Sequence, residues 1–148
     1  MFKFMLKAGM SVSVFLYRLT GGGIGGKMQS LPVLLLTTTG RKSGKKRTIP
    51  LGFLRDGSAY VIIASYAGQP RNPAWFFNLK SHPEATIEVK KRQMQVKAET
   101  ASPEKRSELW ARLVEVAPGY AKYEMRTTRE IPVVILHPID ESSETRSA

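Results

Sequence analysis

The chain has 148 residues, enough for one domain with a hydrophobic core and too few for two ordinary domains. Hydrophobic residues make up 42% and charged residues 24%, a composition typical of folded globular proteins. There is no cysteine and only two histidines, which excludes disulfides, thiolate nucleophiles, iron–sulfur clusters and cysteine zinc sites and disfavours any other metal site. Redox chemistry would therefore require a bound organic cofactor.

The charge is strongly basic, with 23 lysines and arginines against 12 acidic residues and a net charge of +11. An excess of this size indicates an anionic partner and says little about the fold. Three kinds of partner fit: nucleic acid, an anionic membrane surface, or an acidic small molecule.

The first segment, residues 2–20, has the pattern of an amphipathic helix with Lys3, Lys7 and Arg18 on one side. Its apolar stretch is too short to span a bilayer, and Arg18 interrupts what would be the core of a signal peptide. We therefore expect a cytoplasmic protein. The helix either packs on the rest of the chain or covers a substrate at a membrane surface. The glycine-rich residues 21–26 predict a hinge after it.

A β-rich body follows, and the predicted division is a helix and hinge over 1–26, a cofactor-binding domain over 27–139 and a polar tail over 140–148. Helices are predicted over 73–81, with Asn72 as N-cap and Pro73 as first residue, over 103–116 after Ser102, and over 118–125. Strands are predicted over 33–39, 47–55, 59–65, 85–89, 93–99 and 131–136. Tight turns, such as Asp56-Gly57, join consecutive strands, which predicts antiparallel pairing and a closed barrel in an α+β protein that is mainly β.

Three stretches are candidates for function. In the first, residues 41–47, five of seven residues are basic, and the flanking glycines allow close approach of a phosphate or carboxylate. The alternative is a solvated basic hairpin.

In the second, a loop over 64–68 precedes the helix that begins near residue 73, whose N–H groups suit the negative charge that develops on a reduced flavin-like ring. The alternative is that its aromatic residues are only core. In the third, residues 118–123, Tyr120 and Tyr123 share a helical face and either line a pocket, with one phenol donating a proton, or are simply half-buried.

Together these stretches resemble the deazaflavin-dependent nitroreductase family, whose members use coenzyme F420 on a split β-barrel. The resemblance rests on Leu34–Gly44, Arg47 with Pro50-Leu51, Asn72–Leu79 and Pro118–Tyr123, which occur in the same order between about residue 30 and residue 138. It implies a six-stranded antiparallel split barrel similar to the FMN-binding fold.

The resemblance also implies roles for individual residues. Arg41, Lys42, Ser43 and Arg47 would hold the phosphate and acidic tail of F420. Tyr120 would cover the ring and protonate the acceptor, with Ser65 as a second candidate for catalysis, and Tyr123 would line the substrate side. The remaining residues that would line the deazaflavin, besides Ser65, are Thr48, Ile49, Pro50, Leu51, Gly52, Ile63, Ala64, Tyr66, Ala74, Trp75, Phe76, Phe77 and Asn78.

The function that this predicts is hydride transfer from reduced F420 to an electron-poor apolar acceptor, which would be a quinone, an enone or a nitro compound. Two departures from the family lie on the acceptor side: Ala117 occupies a position where members often have tyrosine, and Tyr66 one where many have lysine or a small residue. The alternatives are the same fold binding FMN, and a basic protein without catalysis that binds nucleic acid or a membrane surface through residues 1–20.

Overall fold

A computed structural model describes residues 31–139, together with residues 27–28 and with Val14, Phe15 and Arg18. The predicted hinge and polar tail lie outside the described residues. Over residues 31–139 there are three α-helices, α1 (Ala74–Ser81), α2 (Pro103–Val116) and α3 (Gly119–Arg126), and one 3₁₀ turn, Tyr66–Gly68. The strands are β1 (Lys27–Met28), β2 (Leu31–Thr39), β3 (Lys46–Asp56), β4 (Ala59–Ile63), β5 (Glu84–Val89), β6 (Arg92–Thr100) and β7 (Val133–Pro138).

Six of these strands close into an antiparallel barrel. The order is β2-β3-β4-β7-β6-β5, and β5 pairs again with β2, so that every strand of the ring has two neighbours. Leu36, for example, lies opposite Ile49 of β3 on one side and Ile87 of β5 on the other. Closure removes the free sheet edges on which chains aggregate. The predicted six-stranded barrel is thus confirmed, and the short β1 extends it beyond β2.

Of the two N-caps predicted from sequence, one is present and one is not. Ser102 caps α2 as predicted, because its Oγ accepts a hydrogen bond from Lys105 N at 3.3 Å. The prediction for α1 was wrong by one residue: Pro73 is the N-cap and the helix begins at Ala74. Asn72 does not cap it, because the Asn72 Oδ1 accepts a hydrogen bond of 2.7 Å from Arg129, and such charge-assisted bonds are stronger than neutral ones.

Three strands differ from the sequence prediction by two residues. Strand β2 begins at Leu31 and not at residue 33, β4 ends at Ile63 and not at residue 65, and β7 runs over 133–138 and not 131–136. The bounds of β4 and β7 follow from the pairing of Ile63 with Val133. Pro132, directly before that pair, has no N–H to donate to a strand, although its carbonyl still accepts from Ala64 N at 3.0 Å.

The apolar residues form two main clusters on opposite faces of the barrel wall. Leu34, Ile62 and Phe76 belong to the barrel interior, whereas Val61, Ile63 and Leu113 belong to the cluster between the wall and helices α2 and α3. This follows from the two-residue period of a strand, which directs alternate side chains to opposite faces.

Strand β2 is apolar on both faces, and its outer face is covered by the first segment of the chain. Val33 and Leu35 are buried there and contact Val14. Arg18, one turn further along, forms an ion pair with Glu88 across 3.4 Å. Val14, Phe15 and Arg18 are helical, and they are the only part of the predicted first helix among the described residues. Within the part of the chain that is described, no helix combines the length and hydropathy needed to cross a bilayer.

Candidate functional site

An elongated cavity of about 850 Å³ opens between the barrel wall and the helices. That volume is within the range of sites that enclose small molecules and cofactors. Its walls come from the turn after β2, from β3, from the loop after β4, from α1 and from α3. Many of the residues predicted from sequence line it: Arg41, Lys42, Ser43, Arg47, Ile49, Pro50, Leu51, Ile63, Ser65, Tyr66, Ala74, Trp75, Asn78, Tyr120 and Tyr123.

One end of the cavity is formed by the basic turn, residues 40–47. The cavity lining includes three cations, Arg41, Lys42 and Arg47, and no carboxylate. Among the described residues none of these three cations takes part in an ion pair. Their charge is therefore available to an anionic ligand, which is the arrangement expected of a phosphate or carboxylate site.

Helix α1 supports the basic turn through Asn78 and Phe77. The buried Asn78 accepts a hydrogen bond from Arg41 N at 3.1 Å through its Oδ1 and donates one from Nδ2 to Thr38 Oγ1 at 3.1 Å. The Arg41 guanidinium lies 4.6 Å from the centre of the Phe77 ring, a cation–π contact. Gly44 has a φ of 70°, a left-handed conformation in which glycine avoids a steric penalty, and this lets the turn reverse direction.

The other end of the cavity is aromatic and buried. Tyr120 is 5% exposed, and its ring meets that of Tyr123 edge to face with the ring centres 5.6 Å apart. Burial, with a smaller contribution from Tyr123, raises the pKa of Tyr120 to about 12, so its hydroxyl is protonated at neutral pH. That hydroxyl has no hydrogen-bond partner among the described residues. Every fully buried side-chain polar atom of those residues has a partner, so the Tyr120 hydroxyl is not fully buried and reaches open space.

Strand β3 runs along the cavity from one end to the other. Arg47 lies at the basic end, and Gly52 lies at the tyrosine end, where a Cβ on Gly52 would come within 3.3 Å of the Tyr120 hydroxyl. Five residues of strand span roughly 16 Å. The apolar side chains of Ile49 and Leu51 line the cavity between these ends, with Trp75 of α1 also in the lining. A flat apolar group carrying a distant anionic group matches this layout.

Some of the sequence-predicted residues lie outside the cavity lining. Phe76 is 6% exposed and packs in the barrel interior, and Phe77 supports Arg41. Thr48 bonds to Thr37 on β2, with 2.7 Å between the two Oγ1 atoms. Ala64 is fully buried, and Gly52 lies behind Tyr120.

The cavity also has lining residues that sequence reasoning missed: Thr38, Gly40, Ala67, Gln69 and Pro73. Thr38 and Gly40 end the strand that leads into the basic turn, and the other three flank the loop after β4. Each lies within three residues of a predicted residue, so proximity along the chain was the only signal available.

The fold and the cavity define a class of protein: a closed antiparallel barrel with a cavity on its wall that is cationic at one end and has a buried tyrosine at the other. The comparisons with known proteins agree with this class. The model of the F420H(2)-dependent quinone reductase family matches residues 10–138. The chain is 42% identical to the F420H(2)-dependent quinone reductase Rv1261c of Mycobacterium tuberculosis over 127 residues, which cover 82% of this chain and 84% of that protein.

Solved structures place the chain in the same group. An F420-H2 dependent reductase, FDR-A, is 38% identical with a TM-score of 0.66, over 72% of this chain and 94% of that one. A structure described as a domain-swapped dimer has the same identity and TM-score, over 72% of this chain and 80% of that one. A Listeria innocua protein described as a pyridoxamine 5'-phosphate oxidase, 10% identical with a TM-score of 0.51, shares the fold alone, over 72% of this chain and 82% of that chain.

The chain belongs to the F420H2-dependent quinone reductase family. It is therefore an oxidoreductase, and its cofactor is coenzyme F420. The expected alternatives of FMN as cofactor and of a non-catalytic basic protein are set aside by this membership. The donor set of the cavity also fits F420, because the unpaired cations of the basic turn match its phosphodiester and glutamate tail and the apolar middle matches its ring.

Proposed function

We propose that the protein reduces quinones with F420H2 and that both bind in the cavity described above. The observation that carries the proposal is the separation of a cationic end from an apolar end with a protonated phenol. A reduced deazaflavin supplies a hydride, and a quinone that accepts a hydride and one proton becomes a hydroquinone. The chain itself then has to orient the two molecules and manage one proton.

The basic turn would orient the cofactor. In this proposal Arg41, Lys42 and Arg47 bind the phosphate and the acidic tail, with Ser43 as an additional donor. The planar guanidinium groups can each bind two anionic oxygens at once. The ring would lie against the side chains of Ile49, Leu51 and Trp75, with Ser65 and Tyr66 at its edge.

The tyrosine end would orient the acceptor. We assign to Tyr120 the role of donating a hydrogen bond to the quinone oxygen on which negative charge develops, because its hydroxyl is protonated and without an internal partner. A pKa of about 12 makes Tyr120 a weaker acid than an ordinary tyrosine, so the net proton would come from water that reaches the cavity. Tyr123 would contribute the edge of its ring to the acceptor side.

The test is a comparison of acceptors under one set of conditions. The wild-type protein is given F420H2 and, in turn, a quinone, a cyclic enone and a nitroaromatic compound, and the oxidation of F420H2 is followed by absorbance. We expect the quinone to have the highest kcat/KM, and enones and nitro compounds to be slower acceptors of the same hydride. Replacing F420H2 by reduced FMN is the control and should give little turnover. Faster reduction of the enone or the nitro compound than of any quinone would contradict the proposal.

A further inference from the structure

The loop after β4, residues 64–69, forms one wall of the cavity and is held from outside by a single side chain. Arg129, in the segment between α3 and β7, donates from Nη1 to Ala64 O at 3.2 Å and from Nη2 to Ser65 O at 2.9 Å. It also donates from Nε to Gln69 O at 2.9 Å and from Nη1 to Asn72 Oδ1 at 2.7 Å. One guanidinium thus binds three carbonyl oxygens of the loop and the side chain of Asn72 beyond it.

All four of those acceptors are neutral. Among the described residues Arg129 takes part in no ion pair, and four of its five N–H donors are already used. Burial lowers the pKa of Arg129, although an arginine of this kind stays charged. Arg129 does not itself line the cavity, so a positive charge lies directly behind the loop.

The loop has a conformation that needs such support. Ser65 is right-handed, with φ −71° and ψ −37°, and is followed by Tyr66 and Ala67 with φ values of 44° and 54°. Left-handed φ values are sterically unfavourable for a residue with a side chain. A right-handed residue followed by a left-handed one directs consecutive N–H groups to one point, an arrangement that binds anions.

The N–H groups of the loop are available to a ligand. Because the peptide bonds are trans, the N–H groups of Ser65 and Tyr66 point away from the carbonyls that bind Arg129. Residues 65–67 line the cavity and Arg129 does not, which puts N–H groups that point away from Arg129 on the cavity side. None of the N–H groups of Ser65, Tyr66 and Ala67 meets an acceptor within the described residues.

We infer that Arg129 is a positioning residue: it holds residues 64–69 so that their N–H groups face the cofactor ring and favour its reduced form. The inference rests on the proposed placement of the ring in this cavity. It adds a residue that touches neither cofactor nor acceptor. Reduction adds electrons to the ring, so donors fixed at its edge stabilise the reduced state more than the oxidised state.

The experiment measures the dissociation constants of F420 and F420H2 by anaerobic calorimetry, without any acceptor. Arg129→Gln removes the positive charge and the guanidinium group that donates the four hydrogen bonds. It should weaken binding of F420H2 about tenfold and binding of F420 by less than about threefold, which lowers the midpoint potential of the bound cofactor by about 15–30 mV. The matched control is Arg112→Gln. Arg112 also bonds a carbonyl, Arg55 O at 2.8 Å, but lies outside the cavity lining, and this change should alter neither constant.

A second variant separates positioning from folding. Arg129→Lys keeps the charge but cannot reach four oxygens, so it should weaken F420H2 binding by an intermediate factor and again more than F420 binding. If Arg129→Gln does not fold, the dissociation constants of F420 and F420H2 for Arg129→Lys alone test the inference. Equal losses for both cofactor states, or no loss in either, would overturn the inference and leave the arginine a structural residue. Failure of the wild-type protein to bind F420 would instead overturn the proposed function.

Discussion

The two ends of the cavity differ in how the chain holds their functional groups. At the basic end the cations project from an exposed turn whose backbone is anchored through Asn78, and Arg41 also contacts the Phe77 ring. At the tyrosine end the phenol of Tyr120 is buried in the second apolar cluster with Leu109 and Leu113. Exposed charges adapt to a ligand and are screened by salt, whereas a buried phenol has one position and an altered pKa. The first end is suited to affinity and the second to chemistry.

The largest expected effect is at the tyrosine end. Tyr120→Phe removes the hydroxyl and keeps the ring, so kcat for quinone reduction should fall about 10²-fold, as when one donor to a developing oxyanion is lost. The dissociation constant of F420 should change by less than about threefold, because the cations that bind it are elsewhere. Steady-state kinetics and calorimetry measure the two quantities. A large loss of F420 affinity with kcat unchanged would reverse the assignment of the two ends.

The raised pKa of Tyr120 also predicts how the free energy of unfolding depends on pH, and Tyr120→Phe tests that prediction. The pKa of Tyr120 is about 12 in the folded chain, against 10.0 for an ordinary tyrosine. The stabilisation from keeping the phenol neutral is therefore complete below pH 10 and is lost as the pH rises through 12, an effect on the order of 2 kcal/mol. Denaturant unfolding of wild type should show this loss, and Tyr120→Phe should lack it.

A smaller effect is expected at the basic end. Arg47→Ala should weaken F420 binding by about 1.5 kcal/mol, the low end for a charge-assisted hydrogen bond, because Arg47 is exposed. The deficit should shrink as salt is added, since screening weakens the wild-type contact more. Arg92→Ala is the matched control: Arg92 is an exposed cation at another hairpin, outside the cavity lining. If both variants lose equal affinity, net charge and not the turn binds the cofactor.

The smallest effect on the cofactor is expected from the first segment. A chain beginning at Met28 lacks Val14, which covers Val33 and Leu35 on the outer face of β2, so it should be less stable. Because neither of those residues lines the cavity, F420 affinity should change less than about threefold. We expect this chain to lose binding to anionic liposomes and turnover of long-tailed quinones, measured by cosedimentation and kinetics. Unchanged liposome binding would show that the basic side of residues 2–20 has no membrane role.

Several features were readable from the sequence because they depend on local chemistry. The Asp56-Gly57 turn, the Ser102 cap and the alternation of β-branched and apolar residues follow from rules that act over a few residues. The concentration of cations over 41–47 was equally visible. The cofactor itself followed from resemblance, because no spacing of residues identifies a deazaflavin.

Other features were decided only by tertiary structure. The apolar run of β2 predicts a strand, but not that Leu34 faces the barrel interior while Leu35 faces a covering helix. Asn72 has the residue type and position expected of an N-cap, yet its side chain accepts a hydrogen bond from Arg129, 57 residues away. Nothing near Arg129 in sequence marks it as a support of the cavity, because Arg129 meets its four acceptors, all within residues 64–72, only when β4 and β7 pair.

The sequence by itself thus determined where the strands and turns occur and that the ligand is anionic, because propensities and charge act locally. The tertiary structure alone decided which tyrosine is buried with a raised pKa, which cations are unpaired, and which loop is held in a left-handed conformation. Those properties depend on neighbours distant in the chain, and burial and hydrogen bonding exist only once the barrel has closed.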